Sequence, residues 1–225
     1  RPGTITLLAS DGAVIQKLGP ATREKIKPGE MPLLVKQAFI AAEDRRFYEH
    51  NGVDIWGIGR ALVRNVRQGA VREGASTITQ QLARTVFLSQ DRTITRKLKE
   101  AALAYKLERQ LSKEQILEQY LNYVYLGASA YGLSDAAWVY FSKTPNQLNL
   151  QEAALIAGLP PAPSVYSPLV NPDLALERRS IVLNRMQQAG FITASEAEQA
   201  RTSPLDLKPA IPKYFNSSAP YFTSW

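Results

Sequence analysis

The chain has 225 residues, 45% of them hydrophobic, and a formal net charge of +7. That is enough apolar material for one large domain, or for a core lobe with a smaller one, and it excludes a disordered protein. Cysteine is absent and histidine occurs once, which excludes a disulfide framework, Cys-based zinc sites and a His-rich metal site.

Taken in chain order, Thr4–Leu8, the Asp11-Gly12 pair and Val14-Ile15 read as a β hairpin, because Asp-Gly suits a tight turn between short β runs. Helix signals follow. Pro32 opens a helix carrying Leu33, Leu34, Val35, Ala38, Phe39 and Ala42, which delivers Glu43 and Asp44 to its C-terminal end. Ser76 is predicted to cap a helix with Ile78, Leu82 and Val86 on one side. Ser112 with Gln115 and Thr193 with Glu196 are capping boxes, and Asn149 with Glu152 is a weaker one. Asn171-Pro172 and Gly190 bracket another helix. The spacing predicts about seven helices and little strand.

Positive charge is concentrated. Arg60 to Arg109 holds 11 basic against 4 acidic residues, a surplus equal to that of the whole chain, so a polyanionic partner is expected. A nucleic-acid module would need aromatics among these cations for stacking, and only Phe87 and Tyr105 lie there; nucleic acid is therefore not an expected partner. No run approaches the roughly 20 apolar residues that span a bilayer, and no signal peptide opens the chain, so any membrane anchor is expected outside this sequence.

Four segments could carry chemistry. In Glu43–Asp54, acids, bases and aromatics crowd twelve positions after an apolar helix, and a carboxylate at a cleft mouth with apolar walls can act as a general base near neutral pH. Ile55 to Arg67 interleaves apolar bulk and arginine at helical spacing, as a helix lying in a membrane interface does, although a helix packed on a core reads much the same. Gly74–Arg84 is a small-residue loop entering a helix, where free N–H groups and Arg84 suit an anion. Arg92 to Glu100 sets one acid among cations, a setting that keeps it ionised.

In this order, Glu43-Asp-Arg-Arg-Phe-Tyr-Glu-His50, Gly74-Ala-Ser-Thr-Ile-Thr-Gln-Gln-Leu-Ala-Arg84, Arg96-Lys-Leu-Lys-Glu100 and Ile116-Leu-Glu-Gln-Tyr-Leu-Asn122 resemble the motifs of the peptidoglycan glycosyltransferase domain of bacterial class A penicillin-binding proteins. The resemblance implies a mainly α fold: a lysozyme-like large lobe and a smaller membrane-facing jaw, about residues 55–73. The domain would span 31–206, between an N-terminal hairpin and linker segment (1–30) and a connector (207–225) toward a transpeptidase domain absent from this stretch.

It further implies Glu43 as the base that activates the acceptor hydroxyl and Glu100 as a second essential acid, where a divalent cation, Mg or Mn, is the one candidate cofactor. Arg84, Arg92, Arg96 and Lys97 would bind the donor pyrophosphate, while Ser76, Thr77, Gln80, Gln81, Lys99 and Glu118 would line the cleft. Asp44, Phe47 and His50 would support the base. The implied partners are lipid II, the growing lipid-linked glycan, the membrane surface and moenomycin-type inhibitors, at the outer face of the bacterial cytoplasmic membrane. Arginine at position 84, where the family often has lysine, supplies the same charge with a more directional fork; Ala75 stands where many members have glycine. A glycan hydrolase would also use carboxylates but needs no cationic pyrophosphate site, and a silent scaffold would need neither acid.

Overall fold

The computed structural model describes residues 5–8, 14–18, 25–27, 29–68, 76–87 and 94–210. Strands β1 (Ile5–Leu8) and β2 (Val14–Leu18) pair antiparallel, Ile5 opposite Leu18 and Leu8 opposite Val14, with an irregularity between Leu7 and Leu8. The predicted turn at Asp11-Gly12 lies outside the described residues.

The rest is helical. Among the described residues there are nine α-helices rather than about seven: α1 (Leu33–Glu43), α2 (Ile55–Gln68), α3 (Ile78–Phe87), α4 (Ile94–Gln110), α5 (Lys113–Tyr123), α6 (Leu133–Phe141), α7 (Leu150–Ala157), α8 (Pro172–Gln188) and α9 (Ala194–Thr202). One of the additional helices is α6. Leu133 to Ala137 and Val139 to Phe141 are all buried, polar Ser134 and Asp135 included, so apolar and polar positions do not separate with a helical period.

Helix α1 is central. Val35 and Ala38 to Ala42 are all buried, because α7 and α8 cover one side of it while Phe39 meets Tyr120 of α5 edge-on, with ring centroids 6.1 Å apart. Truncating a fully buried aromatic such as Phe39 costs about 3–5 kcal/mol. Capping boxes are closed at Ser112–Gln115, Asn149–Glu152 and Thr193–Glu196, where each pair satisfies two otherwise unpaired N–H groups. Helix α8 begins with Pro172 at its first position and stops before Gly190, whose φ of +74° ends the spiral.

Two features position the site. Gly52, at φ +93°, lies so close to α4 that a Cβ there would stand 2.8 Å from the backbone carbon of Ala104; only glycine lets the segment after α1 rest on that helix. The Thr79 hydroxyl donates to Glu108 at 2.6 Å and Lys113 donates to the same oxygen at 2.8 Å, tying α3, α4 and α5 together. At the other end, residues 207–210 run back along α6, with Lys208 N–H on the Tyr140 carbonyl at 2.9 Å.

Candidate active site

Helix α1 ends on Glu43, with Asp44 as its cap residue. Glu43 as a residue is only partly buried, yet its Oε1 is sealed from solvent and, among the described residues, has no hydrogen-bond partner. Its Oε2 accepts from Gln81 Nε2 at 2.7 Å. The Tyr120 hydroxyl donates to Gln81 Oε1 at 3.0 Å, and this fixes which end of the amide faces the acid. Burial raises the proton affinity of Glu43 above the ordinary carboxylate value; the Gln81 bond and the charges of Arg178 and Arg185 pull against it, and Asp44 adds to it. Burial also pushes the Tyr120 hydroxyl well above its usual range, so it remains a donor.

Asp44 turns the other way, into the protein. It is buried and accepts from Ile78 N–H, the first residue of α3, at 3.0 Å, where an anion meets the positive end of the helix. His50 Nε2 lies 2.9 Å from Asp44 Oδ1, while Gly52 N–H donates to His50 Nδ1 at 3.2 Å. With Nδ1 an acceptor, the ring proton is on Nε2 and the bond to Asp44 is a donation from neutral histidine. Phe47 is fully buried and meets the His50 ring edge-on, 6.4 Å between centroids.

The helix cap differs from the expectation. Thr77, not Ser76, is the capping residue of α3: its Oγ1 accepts from Gln80 N–H at 3.1 Å while Gln80 Oε1 accepts from Thr77 N–H at 3.1 Å. Thr77 Oγ1 also donates to the Gly52 carbonyl at 2.6 Å. Ser76 is thereby released toward α4 and accepts from Lys97 Nζ at 2.6 Å. Lys97 donates in turn to Glu100 Oε2 at 2.9 Å, and Arg96 Nε lies 3.4 Å from Glu100 Oε1. Glu100 has no solvent exposure.

A cleft of about 410 Å³ opens where these segments meet, with Glu43, Ser76, Thr77, Gln81 and Arg84 on its walls. Five arginines line it: Arg45, Arg60, Arg84, Arg178 and Arg185. The family model described as Transglycosylase matches residues 11–187. The chain belongs to the transglycosylase family, enzymes of glycosyl transfer. Penicillin-binding protein 1A of Neisseria flavescens is 52% identical over 196 residues, covering 87% of this chain and 25% of that protein. Penicillin-binding protein 1A of Escherichia coli K12 is 48% identical over 217 residues, 96% of this chain and 25% of the other. The chain thus spans about a quarter of the length of these relatives. The crystal structure of penicillin-binding protein 1A from Haemophilus influenzae shares the fold, with a TM-score of 0.52 at 24% identity over 95% of this chain and 23% of that one.

In this transglycosylase, the residues singled out by motif separate into groups. Glu43, Asp44, Ser76, Thr77, Gln81 and Arg84 share the cleft. Arg96, Lys97 and Glu100 form a cluster linked to it through Ser76. Arg92 lies outside the described residues, and Lys99 is exposed on α4. Gln80 is turned back onto its own cap, and Glu118 accepts from Gly29 N–H at 2.7 Å, anchoring the segment before α1. Neither Gln80 nor Glu118 is on the cleft wall.

Sequence reasoning assigned no role to Arg178 and Arg185. The signal available was their spacing of seven on one helix, which puts both on one face of α8. As for a divalent cation, the donor set at Glu100 is one carboxylate held between two cations. Among the described residues no group of three His, Cys, Asp or Glu side chains converges. Magnesium or manganese is typically held by one or two carboxylates together with substrate phosphate oxygens, so Glu100 would be the protein ligand of such an ion, and no step below is routed through it.

Proposed function

We propose that the chain is a peptidoglycan glycosyltransferase that polymerises lipid II into β-1,4-linked glycan and releases lipid pyrophosphate. Glu43 takes the proton of the acceptor 4-hydroxyl as that oxygen attacks the anomeric carbon of the donor chain. The carbon–oxygen bond to the α-linked pyrophosphate breaks with inversion. One observation carries this reading: an acid of raised proton affinity on the wall of an arginine-lined cleft, with one oxygen held by Gln81. A base needs raised proton affinity, and the leaving pyrophosphate needs cations fixed before its charge develops. Arg84 supplies one from the cleft wall, and Arg92, Arg96 and Lys97 complete the donor site. Glu100 keeps Lys97 turned toward Ser76, and the Asp44–His50 pair with Phe47 holds the segment after α1 against α3.

The domain reading goes with it. Residues 31–206 form the catalytic domain of a longer penicillin-binding protein with a lysozyme-like lobe, residues 207–225 lead toward a transpeptidase domain, and residues 55–73 form the jaw. Ile55 and Trp56 at the start of α2 are 77% and 78% exposed, apolar surface suited to a membrane interface. No helix among the described residues is long and apolar enough to cross a membrane, so contact through the jaw would be peripheral, at the outer face of the cytoplasmic membrane. A moenomycin-type phosphoglycolipid would compete for the same cationic cleft. Purified protein given lipid II in detergent is expected to yield polymeric glycan, and Glu43→Gln to abolish it. Full polymerisation by that variant overturns the base assignment.

A further inference from the structure

Helix α1 has no basic residue in its own last turn. A carboxylate there meets the negative end of the helix dipole, and burial and the neighbouring Asp44 also favour its protonated form. Each of these raises the proton affinity of an acid in that position, and cations held nearby lower it. Relief comes from α8, which packs across α1. Arg185 donates through Nη1 to the carbonyl of Ala42, the residue before Glu43, from 143 positions away. Arg178, two turns earlier on the same face, donates through Nε to the Gly158 carbonyl at 3.3 Å and holds its guanidinium 5.0 Å from the Tyr166 ring centroid. Both guanidinium groups are therefore pinned on the cleft wall that carries Glu43.

We propose that Arg178 and Arg185 are positioning residues for the base: their fixed charges keep Glu43 able to accept a proton, and Arg185 also fixes the end of α1 that presents it. The proposal rests on the glycosyltransferase reading. The other groups that meet Glu43 do not replace them. From α3 come neutral Gln81 and, on the same cleft, Arg84; from α5, acting through Gln81, comes Tyr120, which stays protonated; Arg45, Asp54 and Arg60 line the same cleft from the segment after α1 and from α2; and Asp44 acts in the opposite sense.

The experiment compares Arg178→Gln, Arg185→Gln and the two lysine variants with the parent protein. Two quantities are read: lipid II polymerisation rate against pH, and the Glu43 side-chain carboxyl titration by carbon-13 NMR, with its resonance identified by its loss in Glu43→Gln. Each glutamine variant is expected to lose about three- to tenfold in rate on the acid limb and to recover toward the plateau as pH rises, with kcat falling more than KM changes. The NMR titration should move to higher pH in step, and lysine should restore both.

An unchanged Glu43 titration in both glutamine variants, or a loss of rate that is uniform across pH, overturns the proposal. If Arg185→Gln melts at low temperature, Arg178→Gln, whose side chain bonds Gly158 rather than α1, carries the test. A Glu43 titration that moves as expected in a protein that makes no glycan leaves this electrostatic role standing and removes the glycosyltransferase reading instead.

Discussion

Gln81 donates through Nε2 to Oε2 of Glu43 at 2.7 Å, joining α3 to α1 across 38 positions of sequence. Because Tyr120 holds the other end of the amide, Gln81 cannot turn an acceptor toward the acid without losing that bond. The bond favours the ionised form, and a hydrogen bond to a charged group is worth about 1.5–3 kcal/mol. Gln81→Met is therefore expected to lower polymerisation about ten- to a hundredfold near neutral pH and less at alkaline pH. A pH–rate profile of the variant checks this.

Glu43 also has a stability signature. Its folded-state proton affinity is raised, chiefly by burial, above the ordinary value of 4.5. The stabilisation of the protonated acid is thus fully present below about that pH and is lost as pH rises through the higher folded value. Glu43→Gln removes the charged form but keeps an acceptor for Gln81. It is expected to be the more stable protein at pH 8, by the order of 1 kcal/mol or about 2–4 °C in Tm, with the gap closing as pH falls toward 4.5. Thermal melts of both proteins across that range measure it.

The division of labour between Ser76 and Thr77 predicts opposite phenotypes. Thr77→Ala removes the α3 cap and the bond to the Gly52 carbonyl, and is expected to cost about 1–2 kcal/mol. Among the described residues, Ser76→Ala removes only the Lys97 contact. It should leave Tm within about 1 °C, an exposed contact being worth little, while raising the KM for the lipid-linked donor. Melting curves and steady-state kinetics on the two variants separate them.

For the jaw, Ile55→Glu with Trp56→Glu should leave the melting temperature unchanged, since both side chains are exposed. Binding to vesicles containing anionic phospholipid should drop about tenfold or more, because burying one large apolar side chain is worth about 1.5–3 kcal/mol. Vesicle co-sedimentation at fixed ionic strength reports it.

Much of the site was legible from neighbours alone. The apolar run from Leu33 and the acids after Ala42 place Glu43 at a helix end, and the boxes at Ser112, Asn149 and Thr193 mark their helices, because capping and periodicity act over three or four residues. Where two hydroxyls compete, as Ser76 and Thr77 do, that local code is degenerate, and the approach of Gly52 and Lys97 decides which one caps. Glu118 shows the same limit: its helical position is readable, but its anchoring of Gly29 depends on how the chain before α1 folds back.

The sequence by its own order of motifs was sufficient for the helical class, the family and the acid expected to act as base. Folding alone settled the surroundings of that acid: Gln81 on one oxygen, and Arg178 and Arg185 brought onto its wall by the packing of α8 on α1. The reason is range. Helix starts and stops are set by residues within one turn, whereas the proton affinity of a buried carboxylate is set by charges and dipoles that reach it only through tertiary packing.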